Sequence, residues 1–107
     1  MSEQDQNKKI QEAIEASGGY VIKTIITNKS GTNDMLACIN GRFCSIEGKV
    51  KGRELEQLQV AHQIKVIKAG GLAIKAETVK DVLLIIKQAK EGYIQPLPES
   101  GLKKFTL

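Results

Sequence analysis

The chain is predicted to be an α/β protein: one domain with a mixed four-stranded sheet, helices on both faces, and the element order α-β-β-β-α-β-α. Three observations lead there. Helical spacing opens the chain, and an Asn40-Gly41 dipeptide joins two apolar runs in its middle. A helical pattern then separates the last two strand-like stretches, so the final strand returns parallel through a crossover.

Between Asp5 and Ser17, the residues Ile10, Ala13, Ile14 and Ser17 recur at three- and four-residue intervals, and Gly18-Gly19 follows as a stop. Tyr20 to Thr27 is rich in β-branched residues and reads as a strand, running into the turn-forming stretch from Asn28 to Asn33. Asp34 to Ile39 and Arg42 to Lys49 are the two arms of a hairpin closed by Asn40-Gly41. The stretch from Glu54 to Ala69 repeats apolar residues at Leu55, Leu58, Val60, Ala61, Ile64 and Ile67 before Gly70-Gly71, which predicts a second helix. Leu72 to Ala76 is a short apolar strand, and Thr78 with Asp81 three residues on resembles a capping box that opens a third helix through Lys90. Pro96 and Pro98 interrupt whatever follows, so the domain is expected over residues 1–92 with a tail over 93–107.

The 107 residues are 41% hydrophobic, which is enough for one core without disulfides or a structural metal and too little for two. No apolar run approaches the ~18 residues of a membrane span. The start, Met1 to Lys9, is polar, and a soluble cytoplasmic protein with no membrane partner is expected. Cys38 and Cys44 lie inside apolar stretches with no histidine nearby and are expected to be reduced core residues; His62 is expected to be structural. Sixteen Lys and Arg against 12 Asp and Glu leave +4, a weak pointer to a polyanionic partner. With 4% aromatics and no Trp, the chain lacks stacking platforms for single strands, so recognition should be of shape and phosphate position.

A two-residue Asn40-Gly41 turn pairs Ile39 with Arg42, and counting back along both arms sets Asp34 opposite Glu47. Lys49, two residues beyond Glu47, shares that face. Two carboxylates ~5 Å apart repel by roughly 3 kcal/mol at an effective dielectric near 20, so something has to compensate them. Lys49 could do so as part of an edge salt-bridge cluster, or a divalent cation could be held by the carboxylate oxygens. The same register sends Cys38 and Cys44 to opposite faces, which argues against a disulfide between them.

Asp34 followed by Glu47-Gly48-Lys49 resembles the D…ExK signature of the PD-(D/E)xK nuclease superfamily, and the surroundings are similar to its VRR-Nuc branch, the viral-type replication-repair nucleases. The likeness runs from Lys8 to Leu84. It takes in the Lys-Lys-Ile-Gln helix, Gly-Tyr-Val-Ile-Lys leading the first strand, Lys-Ser-Gly-Thr-Asn-Asp before the hairpin and Ile-Asn-Gly-Arg-Phe across the turn. Ile-Glu-Gly-Lys, Gln59 and the Thr-Val-Lys-Asp-Val helix start complete it. The resemblance implies a restriction-endonuclease-like fold and metal-dependent cutting of branched DNA, in the manner of Holliday-junction resolvases, by a homodimer of phage or viral type. It further implies that Asp34, Glu47 and the Gly48 carbonyl ligate Mg²⁺ or Mn²⁺ and that Lys49 positions the attacking water.

Gln59 matches the family's polar helix residue and either supports that centre or sits on a solvated helix face. No Ser-His or Cys-His pair is available for a covalent route. Lys29, Ser30, Lys51 and Arg53, in the loops flanking the hairpin, are expected to touch the DNA backbone. The chain departs from the family pattern at Asn33, where Pro is usual, at Gly48, where a β-branched residue is usual, and at Asn7, where many members carry Glu. These departures leave a second reading open: a DNA-binding protein that keeps the nuclease fold with impaired catalysis.

Overall fold

In the computed structural model, which describes residues 3–24, 35–49 and 54–97, the elements follow the expected order. They are α1 (Glu3–Ala16), β1 (Tyr20–Lys23), β2 (Met35–Ile39), β3 (Arg42–Gly48), α2 (Gln57–Lys68), β4 (Leu72–Ala76) and α3 (Val79–Glu91). The strands lie side by side in the order β1-β2-β3-β4, antiparallel among the first three, with β4 parallel to β3.

The hairpin owes its register to its turn. Asn40 and Gly41 both take left-handed backbone angles, φ 52° and 79°, which is the type I′ geometry that matches the twist of paired strands. Ile39 therefore faces Arg42, and the pairing runs on to Met35 opposite Ile46. Asp34 lies outside the described residues, so its expected place opposite Glu47 is the next step of the register rather than an observed pair.

Alternation along the strands assigns two unlike faces. On one, Met35, Ala37, Ile39, Cys44, Ile46, Leu72, Ile74 and Ala76 pack against Ile10 and Ile14 of α1 and Val82, Ile85, Ile86 and Ala89 of α3. On the other, α2 covers Ala73 through Val66 and Ile67, with Leu55 completing a smaller cluster. Among the described residues no helix covers the β1 and β2 side of the same face. Tyr20, Cys38 and Phe43 line up across three strands there, with Tyr20 70% and Phe43 49% exposed.

Cys38 is thus not the core residue expected from its apolar surroundings: it is exposed on this uncovered face, while Cys44, one strand over and on the opposite face, is buried. The second helix also starts later than expected, at Gln57 with Glu56 as its N-cap, because the Gln59 side chain accepts the Glu56 backbone N–H at 2.9 Å. Leu55 is buried ahead of the helix, and Leu58, expected on its inner stripe, is exposed. β1 ends at Lys23, and the expected continuation through Thr27 falls outside the described residues. The third helix opens as expected, with Asp81 Oδ2 accepting the Thr78 N–H at 3.1 Å and the Glu77 N–H at 2.9 Å.

Past α3, Tyr93 packs against the main core, and the Gln95 side chain both donates to and accepts from the Ala73 backbone at 2.8 Å. That amide pairs with the outer edge of β4 as a strand peptide would. Among the described residues no helix is long and apolar enough to cross a membrane.

Burial pushes the Cys44 thiol up from 9.0 to about 12, with Arg42 opposing the shift. The unfolded chain releases this proton first, so the contribution is intact below pH 9 and lost as pH rises toward 12. Replacing Cys44 with Ala should therefore flatten the alkaline limb of a stability-against-pH curve. In the folded protein a thiol reagent should modify Cys38 promptly and Cys44 only after denaturation, so Cys38→Ser should abolish the fast phase.

Candidate active site

Glu47 stands near the end of β3 on the face that α2 covers, and it is 3% exposed. A carboxylate this deep requires partners. Lys49, on the same face two residues later, places Nζ 3.8 Å from Glu47 Oε1. The Gln59 Nε2 of α2 donates to that same oxygen. Because the other end of the Gln59 amide accepts the Glu56 N–H, its orientation is settled by the helix cap and its donor side has to face Glu47. Gln59 is accordingly not on a solvated face.

One turn further along α2, the fully buried Gln63 donates from Nε2 to the Ile74 carbonyl at 2.9 Å and the Ser45 carbonyl at 3.4 Å. The layer between α2 and the sheet is therefore polar where it meets Ser45, Glu47 and Lys75 and apolar where it meets Ala73.

The Gly48 carbonyl has a direction that follows from its neighbour. The Lys49 N–H donates to the Ala76 carbonyl of β4 at 3.0 Å, and a trans peptide points its C=O opposite to its N–H. The Gly48 oxygen consequently points away from β4, to the side on which β2 lies.

From the opposite face, α1 reaches the same strand ends. Gln6 Nε2 donates to the Ala76 carbonyl at 2.9 Å and the Lys49 carbonyl at 3.2 Å, tying the helix to β3 and β4 together. Asn7, 5% exposed, lies directly against Gly48: a Cβ added there would overlap Asn7 Oδ1. That oxygen is buried and has no hydrogen-bond partner among the described residues. The acidic residues of this helix whose side chains are described, Asp5, Glu12 and Glu15, are all exposed.

Of the expected site residues, the fold brings together Glu47, Gly48, Lys49 and Gln59. Asp34, Lys29, Ser30, Lys51 and Arg53 lie outside the described residues. Sequence reasoning missed Gln6, Gln63 and Lys75. Gln63 is the only one with a local signal, sitting one turn after Gln59, whereas Gln6 and Lys75 become relevant only through contacts across the fold.

The donor types at this strand end suit a hard divalent cation: a buried carboxylate, a backbone carbonyl, and an unpartnered amide oxygen that reaches the strand from its other face. Among the described residues no three His, Cys, Asp or Glu side chains converge, so a complete shell requires oxygens of other kinds or Asp34.

The tight contact between Asn7 and Gly48 is testable. Gly48→Val should destabilise the fold by about 1–3 kcal/mol in urea titrations, as overpacking does. In an Asn7→Ala background that cost should shrink; an equal cost in both backgrounds would show that Asn7 does not occupy the space.

No protein-family model matches the chain. Among solved structures the chain is similar to one described as a VRR_NUC domain, with a TM-score of 0.69 and 25% sequence identity, over 79% of this chain and 94% of that one. The mixed four-stranded sheet, its flanking helices and their order agree with it, and over most of its length this protein carries the VRR_NUC nuclease fold.

Proposed function

We propose that the protein is a divalent-metal-dependent DNA endonuclease that hydrolyses phosphodiester bonds in branched DNA, in the manner of a Holliday-junction resolvase. One observation carries this reading. On a VRR_NUC fold, Glu47, the Gly48 carbonyl and Lys49 occupy the end of β3, and Gln59 reaches Glu47 from α2, as the D…ExK resemblance implies.

Asp34, Glu47 and the Gly48 carbonyl are the proposed ligands of Mg²⁺ or Mn²⁺. When bound, such an ion supplies Lewis-acid stabilisation of phosphate charge and a more acidic water. The chain's own groups do the rest. Glu47 is held in one orientation by Gln59, and Lys49 brings a cation to the face where the scissile phosphate and the attacking water would meet. Hydrolysis proceeds by direct attack of water, without a covalent enzyme intermediate.

Lys29, Ser30, Lys51 and Arg53 contact the DNA backbone in this reading, and a homodimer of phage or viral type, acting in the cytoplasm, presents two such sites to a symmetric junction. The domain occupies residues 1–92, with residues 93–107 as its C-terminal extension.

A second reading has its own support. Asn7 is uncharged where the resemblance places Glu, so the site carries one negative charge fewer, which favours a DNA-binding protein with impaired catalysis.

The two readings part in one assay on a labelled four-way junction with Mg²⁺ or Mn²⁺. Wild type should cut it, and Glu47→Ala and Lys49→Ala should each lose about 100-fold or more while still binding. Binding without cutting by wild type under either metal would leave the second reading in place. Affinity should also fall steeply with salt, with log K linear in log salt concentration, and Lys51→Ala or Arg53→Ala should each reduce the slope by about one.

A further inference from the structure

The charges at the ends of β3 and β4 come in two pairs of opposite order. From β3 the order is Glu47 then Lys49, with Nζ and Oε1 3.8 Å apart; from β4 it is inverted, Lys75 then Glu77, with Nζ and Oε2 3.6 Å apart. The parallel register sets Glu47 beside Lys75. The bond from the Lys49 N–H to the Ala76 carbonyl closes the last rung of that ladder, Gly48 beside Ala76. Each charge therefore has an opposite charge two residues along the chain, and Glu47 and Lys75 have each other across the ladder as well.

The placement of Lys75 is the unusual part. All five residues of β4 are buried, the pattern of a parallel strand covered on both faces that would ordinarily be apolar throughout, yet Lys75 interrupts it at 8% exposure. An ammonium removed from water at that depth has to be offset by neighbouring carboxylates, and the two on its flanks are Glu47 across the ladder and Glu77 along the strand. The reverse also holds: Glu47 lies between Lys49 and Lys75, with Gln59 above it.

We propose that Lys75 and Glu77 are positioning residues for the reaction assigned above. Lys75 orients the Glu47 carboxylate from β4, and Glu77, paired with Lys75, holds that ammonium in place, so the carboxylate of β3 is aimed from the neighbouring strand. Neither residue touches the reacting atoms. The inference rests on the reading of Glu47 and Lys49 as catalytic, and its test keeps the two separable.

Lys75→Met, Lys75→Arg and Glu77→Gln are made in the full-length chain, and Mn²⁺-supported cutting of a labelled junction is measured over a range of DNA concentrations. Lys75→Met should lower kcat about tenfold or more with KM within about twofold, and Lys75→Arg should recover most of the loss. Cutting by Lys75→Met within about twofold of wild type, or a loss confined to KM, overturns the proposal. Where Lys75→Met fails to fold, Glu77→Gln decides: it should lower kcat about threefold or more, and wild-type kcat in that variant overturns the proposal. Should wild type itself never cut, the nuclease reading fails alone. A urea double-mutant cycle of Lys75→Gln with Glu47→Gln then decides the positioning, with coupling of about fivefold in the unfolding constant supporting it and additivity overturning it.

Discussion

A carboxylate withdrawn from water must find its compensation in the protein around it, and Glu47 is the group to which the end of this sheet is organised. Isolated burial of such a charge costs several kcal/mol, far more than a small domain can lose. The compensation comes from three places at once: Lys49 just past the end of β3, Gln59 on α2 and Lys75 opposite Glu47 on β4. Gln59 serves two purposes with one amide, since the oxygen that closes the helix cap leaves the nitrogen facing the carboxylate. The N-terminal turn of α2 and the orientation of Glu47 are thereby a single structural unit, and movement of either disturbs the other.

The first helix completes the arrangement from the far side of the sheet. Gln6 bridges carbonyls at the ends of β3 and β4, and it brings Asn7 against Gly48. Two departures from the family pattern are then one physical adjustment, because the room a β-branched side chain would take at that position is filled by the Asn7 amide. The absence of a side chain at Gly48 weakens local strand preference by up to about 1 kcal/mol, and the Gln6 bonds offset that loosening by holding the strand ends together.

The two faces of the sheet answer different needs. The face under α1 and α3 is a continuous apolar core, whereas the face under α2 is divided among an apolar cluster, a polar layer around Glu47 and an uncovered region with Tyr20, Cys38 and Phe43. A single 12-residue helix is too short and narrow to shield four strands, so alternation that buries Cys44 leaves Cys38 exposed. At the β4 edge the Gln95 amide occupies backbone groups of Ala73 that would otherwise invite another strand.

Local sequence was decisive wherever short-range chemistry controls the outcome. Asn40-Gly41 set the hairpin register, Asp81 set the start of α3, and glycine pairs ended α1 and α2, because each depends on the dihedral freedom or hydrogen bonds of residues a few positions apart. Strand alternation set Glu47 and Lys49 on one face. Tertiary structure alone decided the parallel register that sets Glu47 beside Lys75, the reach of Gln6 to a carbonyl 70 residues away, and which apolar alternation found a helix to cover it. Those outcomes depend on how α2 seats itself during the crossover and how α1 packs across the sheet, and no local turn or cap encodes either one.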